Sequence, residues 1–151
     1  MRVTGHSGAV IVVLAALAMP VPGVRGAAPD PAQQVWNALT GMASALASAD
    51  AVTFLSYFDQ HMQGYDDIRN RVGALVTQYD IHSGIDPIEN TGNQESRTLK
   101  VNWSMHLISH SPLEQVVQRQ MAVTIRFARE GRRWKVVGFE PASALALPPR
   151  P

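Results

Sequence analysis

The sequence predicts an α+β domain: three N-terminal helices packed on a curved, four-stranded antiparallel meander. Three observations predict it. Apolar residues recur at helical spacing as far as Tyr79, and from Asp80 the period changes to two. The stretch from Glu114 to Pro141, EQVVQRQMAVTIRFAREGRRWKVVGFEP, reads as a closing β-hairpin. Helices followed by strands, each strand apolar on one face, make an α+β pattern in which the helices cover that face.

Pro31 suits the first position of a helix, where its missing N–H costs nothing. Val35, Leu39, Met42 and Leu46 then fall at helical spacing with Trp36 and Ala43 beside them, and this helix ends near Ala49. Asp50 is an N-cap for a short second helix whose apolar content is Val52, Phe54, Leu55 and Phe58. The link FDQHMQGY has no clear period. Gly64 precedes a third helix, with Asp66 and Asp67 in the first turn, where the helix dipole favours negative charge. Ile68, Val72, Leu75, Val76 and Tyr79 form its apolar stripe.

Ile81 to Glu89 reads as a first strand, and Pro87 confines it to a sheet edge. Asn90 to Asn93 supply turn formers. In the second strand, Arg97 to Ser109, the residues Leu99, Val101, Trp103, Met105 and Leu107 point one way. Thr98, Lys100, Asn102, Ser104 and His106 point the other. His110-Ser111-Pro112 turns into the hairpin. With Glu130-Gly131 as its loop, Phe127 faces Trp134, Ile125 faces Val136 and Val123 faces Gly138. Ala122, Thr124, Arg126, Lys135, Val137 and Phe139 then occupy the outer face, and Pro141 ends the strand.

Length and composition bound the rest. A chain of 151 residues, 46% hydrophobic, suffices for one domain with a real core, placed at residues 33–141. Residues 1–26 read as a signal peptide. Arg2 is the positive start, Ala9 to Met19 the apolar stretch, and Val24-Arg25-Gly26 the processing site. The apolar run is shorter than the ~20 residues of a membrane span. Residues 27–32 are a leader, and 142–151 a Pro-rich tail expected to be disordered. The product is expected to be exported, periplasmic or secreted. No cysteine is present to carry a lipid or a disulfide.

The 13 basic and 12 acidic residues become 11 and 12 once residues 1–26 are gone, since only Arg2 and Arg25 are lost. That balance gives nucleic-acid binding no electrostatic support, and no membrane association is expected after cleavage. Arg129, Arg132 and Arg133 form a small basic cluster at the hairpin tip, read as a solvated turn.

The order of these pieces resembles the nuclear transport factor 2-like superfamily, with its SnoaL-like cyclases, ketosteroid isomerase and scytalone dehydratase. The pieces are LASADAVTFLSYF, then GYDDIRNRV with Gly64 opening a helix, and finally RWKVVGFEP. The likeness runs from about Gln33 to Pro141. It implies a cystatin-like cone of helices against a curved sheet, with a pocket inside and dimers formed through the outer sheet face. One departure is clear. Members with known chemistry carry a strand pair between helices two and three, where ketosteroid isomerase-like enzymes place their general base. Here only DQHMQGY is available.

Asp59 and His61 in that link are the candidate acid–base pair, able in a dry pocket to abstract a proton or orient a water. Trp36, Tyr57, Phe58 and Trp103 are the candidate walls of a ligand pocket. Thr124, Val137 and Phe139 are the candidate dimer contacts. His82 and His106 are expected as neighbours on the outer face. No metal site and no cofactor is implied, since metals need three or four convergent ligands. The favoured function is a non-catalytic exported module that binds a small apolar ligand or a protein partner. The alternatives are a lyase or isomerase using Asp59 as general base, and a structural homodimer with a filled cone.

Overall fold

The computed structural model describes residues 30–113 and 115–149, so the expected signal peptide at 1–26 lies outside the described residues. Helix α1 spans Pro31–Ala47, with Asp30 as N-cap accepting from the Ala32 amide and Pro31 at the first helical position. Its buried side chains are Val35, Leu39, Met42, Ala45 and Leu46. Helix α2 is Ala51–Ser56. Both oxygens of its N-cap Asp50 work: one accepts from the Thr53 amide at 3.0 Å, the other from the Thr53 hydroxyl at 2.6 Å. Phe54 turns into the core, whereas Val52, expected among the apolar content, is 81% exposed. Helix α3, Tyr65–Gln78, buries Ile68, Val72 and Leu75 and pairs Asp66 with Arg69 and Asp67 with Arg71 on its wet side.

Helix α3 passes directly into the sheet. Strands β1 (Tyr79–Gly92), β2 (Ser96–Ser109), β3 (Val116–Glu130) and β4 (Arg133–Glu140) form an antiparallel meander in chain order. β1 is an edge strand, as Pro87 requires, and a bulge lies between Pro87 and Glu89. β2 alternates as its sequence dictates, with Leu99, Val101, Trp103, Met105 and Leu107 all buried. His82 and His106 face each other on the ladder, both exposed.

The closing hairpin departs from the expected register. Glu130 pairs with Arg133, so the loop is Gly131-Arg132, and Phe127 lies opposite Val136 rather than Trp134. Gly131 stands at φ 62° in the first loop position, where a tight hairpin turn places a glycine. A second irregularity follows. Phe127 pairs with Val136 but Arg126 pairs with Gly138, so Val137 is an extra residue on β4. Because side chains alternate, one extra residue exchanges the two faces beyond it. Phe139 therefore points inward opposite Ile125, at 5% exposure, and not outward as expected.

Two further segments complete the domain. The link after α2 runs beside β4: Val136 donates its amide to the Tyr57 carbonyl, and the Asp59 amide donates to the Val136 carbonyl, at 2.8 and 2.9 Å. A parallel bridge between Phe58 and Val136 results. The tail is not disordered at its start. Ala142–Leu145 form a 3-10 turn whose Ala144 and Leu145 are fully buried. The Arg119 guanidinium holds it, donating to the Ala144 and Ala146 carbonyls at 2.7 Å each. Apolar Ala144 and Leu145 outweigh the neighbouring prolines.

Candidate functional site: a cleft beside the hairpin tip

Helical spacing puts Gln34, Asn37 and Ala38 on one face of α1. That face looks across a cleft of about 510 Å³ toward Ser56 and Tyr57 at the end of α2, and toward Arg132 in the hairpin loop and Arg133 to Lys135 at the start of β4. Two hydrogen bonds fix the walls. The Trp134 indole N–H donates to Gln34 Oε1 at 2.7 Å, tying the hairpin to α1. Lys135 Nζ donates to the Ser56 carbonyl at 2.6 Å, tying it to α2. Tyr57 rests its phenol against Gly41, where a Cβ would collide with the hydroxyl. The Arg129 guanidinium stacks 6.0 Å from the centre of the Trp134 ring. Among the described residues no Asp or Glu lines this cleft.

The interior of the cone is occupied by aromatic rings at this level. Phe54 and Phe58 lie 5.2 Å apart, Phe58 and Phe139 6.0 Å, and Phe139 and Trp103 6.1 Å. Phe58 and Trp103, expected as pocket walls, are thus core residues at 2% and 1% exposure. Trp36 packs half-buried against the same core. Of the four expected wall residues, Tyr57 alone lines the cleft. The Trp103 indole nitrogen and the Ser83 hydroxyl are buried without a hydrogen-bond partner.

Asp59 does structural work. Its Oδ1 accepts from the His61 amide at 2.8 Å, and its carbonyl accepts from Met62. Such a local turn is what a short acidic side chain does at a helix exit. His61 is exposed, and neither residue lines this cleft or a second, smaller one of about 330 Å³. That second cleft lies between the start of α3 and the end of β4, with Asp67, Arg126 and Glu140 at its rim. Among the described residues no three His, Asp or Glu side chains converge as a metal ion would need.

Comparison with solved structures settles the architecture. A conserved protein from Planctomyces limnophilus matches with a TM-score of 0.65 at 9% identity, covering 71% of this chain and 91% of its own. A nuclear transport factor 2-like superfamily protein from Salmonella enterica matches at 0.62 and 13% identity, over 72% and 87%. A protein of that family from Streptomyces avermitilis, proposed to be a dehydratase, matches at 0.62 and 12%, over 71% and 91%. This chain has the nuclear transport factor 2-like fold. No protein-family model matches the sequence, and no curated protein does.

Within the nuclear transport factor 2-like fold, sequence reasoning missed Gln34, Asn37, Ala38, Ser56 and the run Arg132 to Lys135 as members of one site. One signal was available. The basic cluster sits next to Trp134, and a large indole beside a turn needs something to pack against.

Proposed function

We propose that this chain is an exported, non-catalytic binding module that holds a small, largely apolar molecule in the cleft between α1, α2 and the β3–β4 hairpin. Supporting this is the cleft itself: about 510 Å³, walled by Tyr57 and Trp134, within the range of small-molecule sites. Its walls are tied across three elements by the Trp134–Gln34 and Lys135–Ser56 bonds, so little ordering remains to be done on binding. None of its lining residues is a carboxylate or histidine, the usual general bases. The features of residues 1–26 support export.

Titration with N-phenyl-1-naphthylamine, a neutral aromatic dye, tests the site. Saturable fluorescence enhancement is expected with the wild type. Asn37→Trp, at an exposed α1 position on the cleft wall, fills the space and is expected to abolish it with an unchanged circular dichroism spectrum. No saturable uptake, or uptake indifferent to Asn37→Trp, would overturn the proposal.

A further inference from the structure

We infer that the molecule held in this cleft carries an anionic group, read by Arg132, Arg133 and Lys135; this rests on the binding site proposed above and names its ligand class. The three cations come from one short run over the hairpin loop and the start of β4, and all three line the cleft. Arg129, outside the lining, adds a fourth positive charge over the Trp134 ring. Among the described residues, none of these four takes part in an ion pair. Glu130 lies opposite Arg133 on the ladder, yet it neither lines the cleft nor pairs with it. The concentration of charge is local, since the chain without residues 1–26 has 11 basic and 12 acidic residues.

A solvated turn would scatter such side chains over open water. Here they rim a concave surface whose other wall is α1. Concavity against a low-dielectric wall concentrates positive potential. Gln34, Asn37 and Ser56 add neutral polar atoms, and Ala38, Tyr57 and Trp134 apolar ones. The complement is a molecule with an apolar body and a carboxylate, sulfonate or phosphate at one end. Arginine forks suit such oxygens because they donate two parallel hydrogen bonds.

Two dyes of matched body separate this inference from the site it rests on. 8-Anilinonaphthalene-1-sulfonate carries the sulfonate that N-phenyl-1-naphthylamine lacks. The wild type is expected to bind the sulfonate more tightly, with an affinity that falls as salt rises. Arg132→Gln with Arg133→Gln, both at exposed positions, is expected to weaken sulfonate binding about fivefold or more relative to the neutral dye. Equal affinity of the two dyes, or a double variant that weakens both alike, would overturn the anionic class and leave the site standing. Failure of both dyes to bind the wild type would overturn site and inference together. Asn37→Trp guards against binding elsewhere: sulfonate uptake that survives it also overturns the inference.

Discussion

A carboxylate placed at position 139 would stand between the rings of Phe58 and Trp103, 6.0 and 6.1 Å from the present ring centre. Removing a buried phenylalanine costs about 3–5 kcal/mol, and burying an unpaired charge adds to it. Such a loss approaches the whole stability of a domain of this size, roughly 5–15 kcal/mol. Phe139→Asp is therefore expected to unfold the protein, not merely to alter its assembly. Urea denaturation followed by circular dichroism measures it. A midpoint near wild type would mean that the ring lies outside. The residue's identity gave no hint of its side, because Val137, Phe139 and their neighbours are apolar in both directions. The one local warning was Gly138. An isolated glycine inside a strand marks a bulge or a close approach. Both occur: the Arg126 guanidinium lies within 2.8 Å of where a Cβ on Gly138 would be.

At the scale of elements, what could be read follows from period. β2 buries every second residue from Leu99 to Leu107, α1 buries the stripe its spacing marks, and α3 buries Ile68, Val72 and Leu75, whereas Val76 is half-buried and Tyr79 already belongs to β1. What could not be read was the count of residues between pairing partners. Gly131 serves equally as the second residue of one loop or the first of another, and the fold uses the second, with a bulge further along. The junction between α3 and β1 carries a titratable clasp that no local pattern announces. His110, at the end of β2, directs Nδ1 to the Thr77 carbonyl at 3.0 Å and Nε2 to Asp80 Oδ1 at 2.8 Å. Both partners only accept, so the clasp is complete when both ring nitrogens donate, in the imidazolium form. The hydrogen bond to Asp80 first, and that to Thr77 second, raise the His110 pKa above its ordinary 6.5. A raised folded-state value means the clasp stabilises fully below the ordinary pKa and is lost as pH rises through the folded one. An NMR titration of the ring is expected to show this raised value, and Asp80→Asn to return it toward 6.5. An unshifted His110 in the wild type would refute the clasp.

For the whole molecule, the Pro-rich tail matters more than its composition suggests. Leu145 is fully buried, and the 3-10 turn packs against α3 and β4. Ending the chain at Pro141 removes it and leaves Arg119 without its two carbonyls. Losing one buried leucine alone costs about 2–5 kcal/mol. The truncated chain is expected to melt well below the full one, and equal melting temperatures would show the tail to be dispensable. The candidate site was far less legible than the fold. Its residues come from α1, α2 and the closing hairpin, and the Trp134–Gln34 bond alone joins positions 100 apart along the chain. Nothing in local spacing links such segments. Self-association through the outer sheet face loses support by the same geometry. Thr124 and Val137 remain half-exposed there, but Phe139, its largest apolar contributor, belongs to the core.

The extra residue on β4 also bears on how this segment can change over time. Between Trp134 and Phe139, inside and outside are decided by parity: whether the number of intervening residues is odd or even. Exchanging one side chain for another leaves parity alone. Losing a single residue there removes the bulge instead, and plain alternation then keeps both Trp134 and Phe139 inward. The hairpin can therefore shorten by one residue at position 137 without exchanging its buried and exposed sets. A relative without that residue would share the fold and its buried positions, and an alignment gap placed one position off from 137 would pair core residues with surface ones.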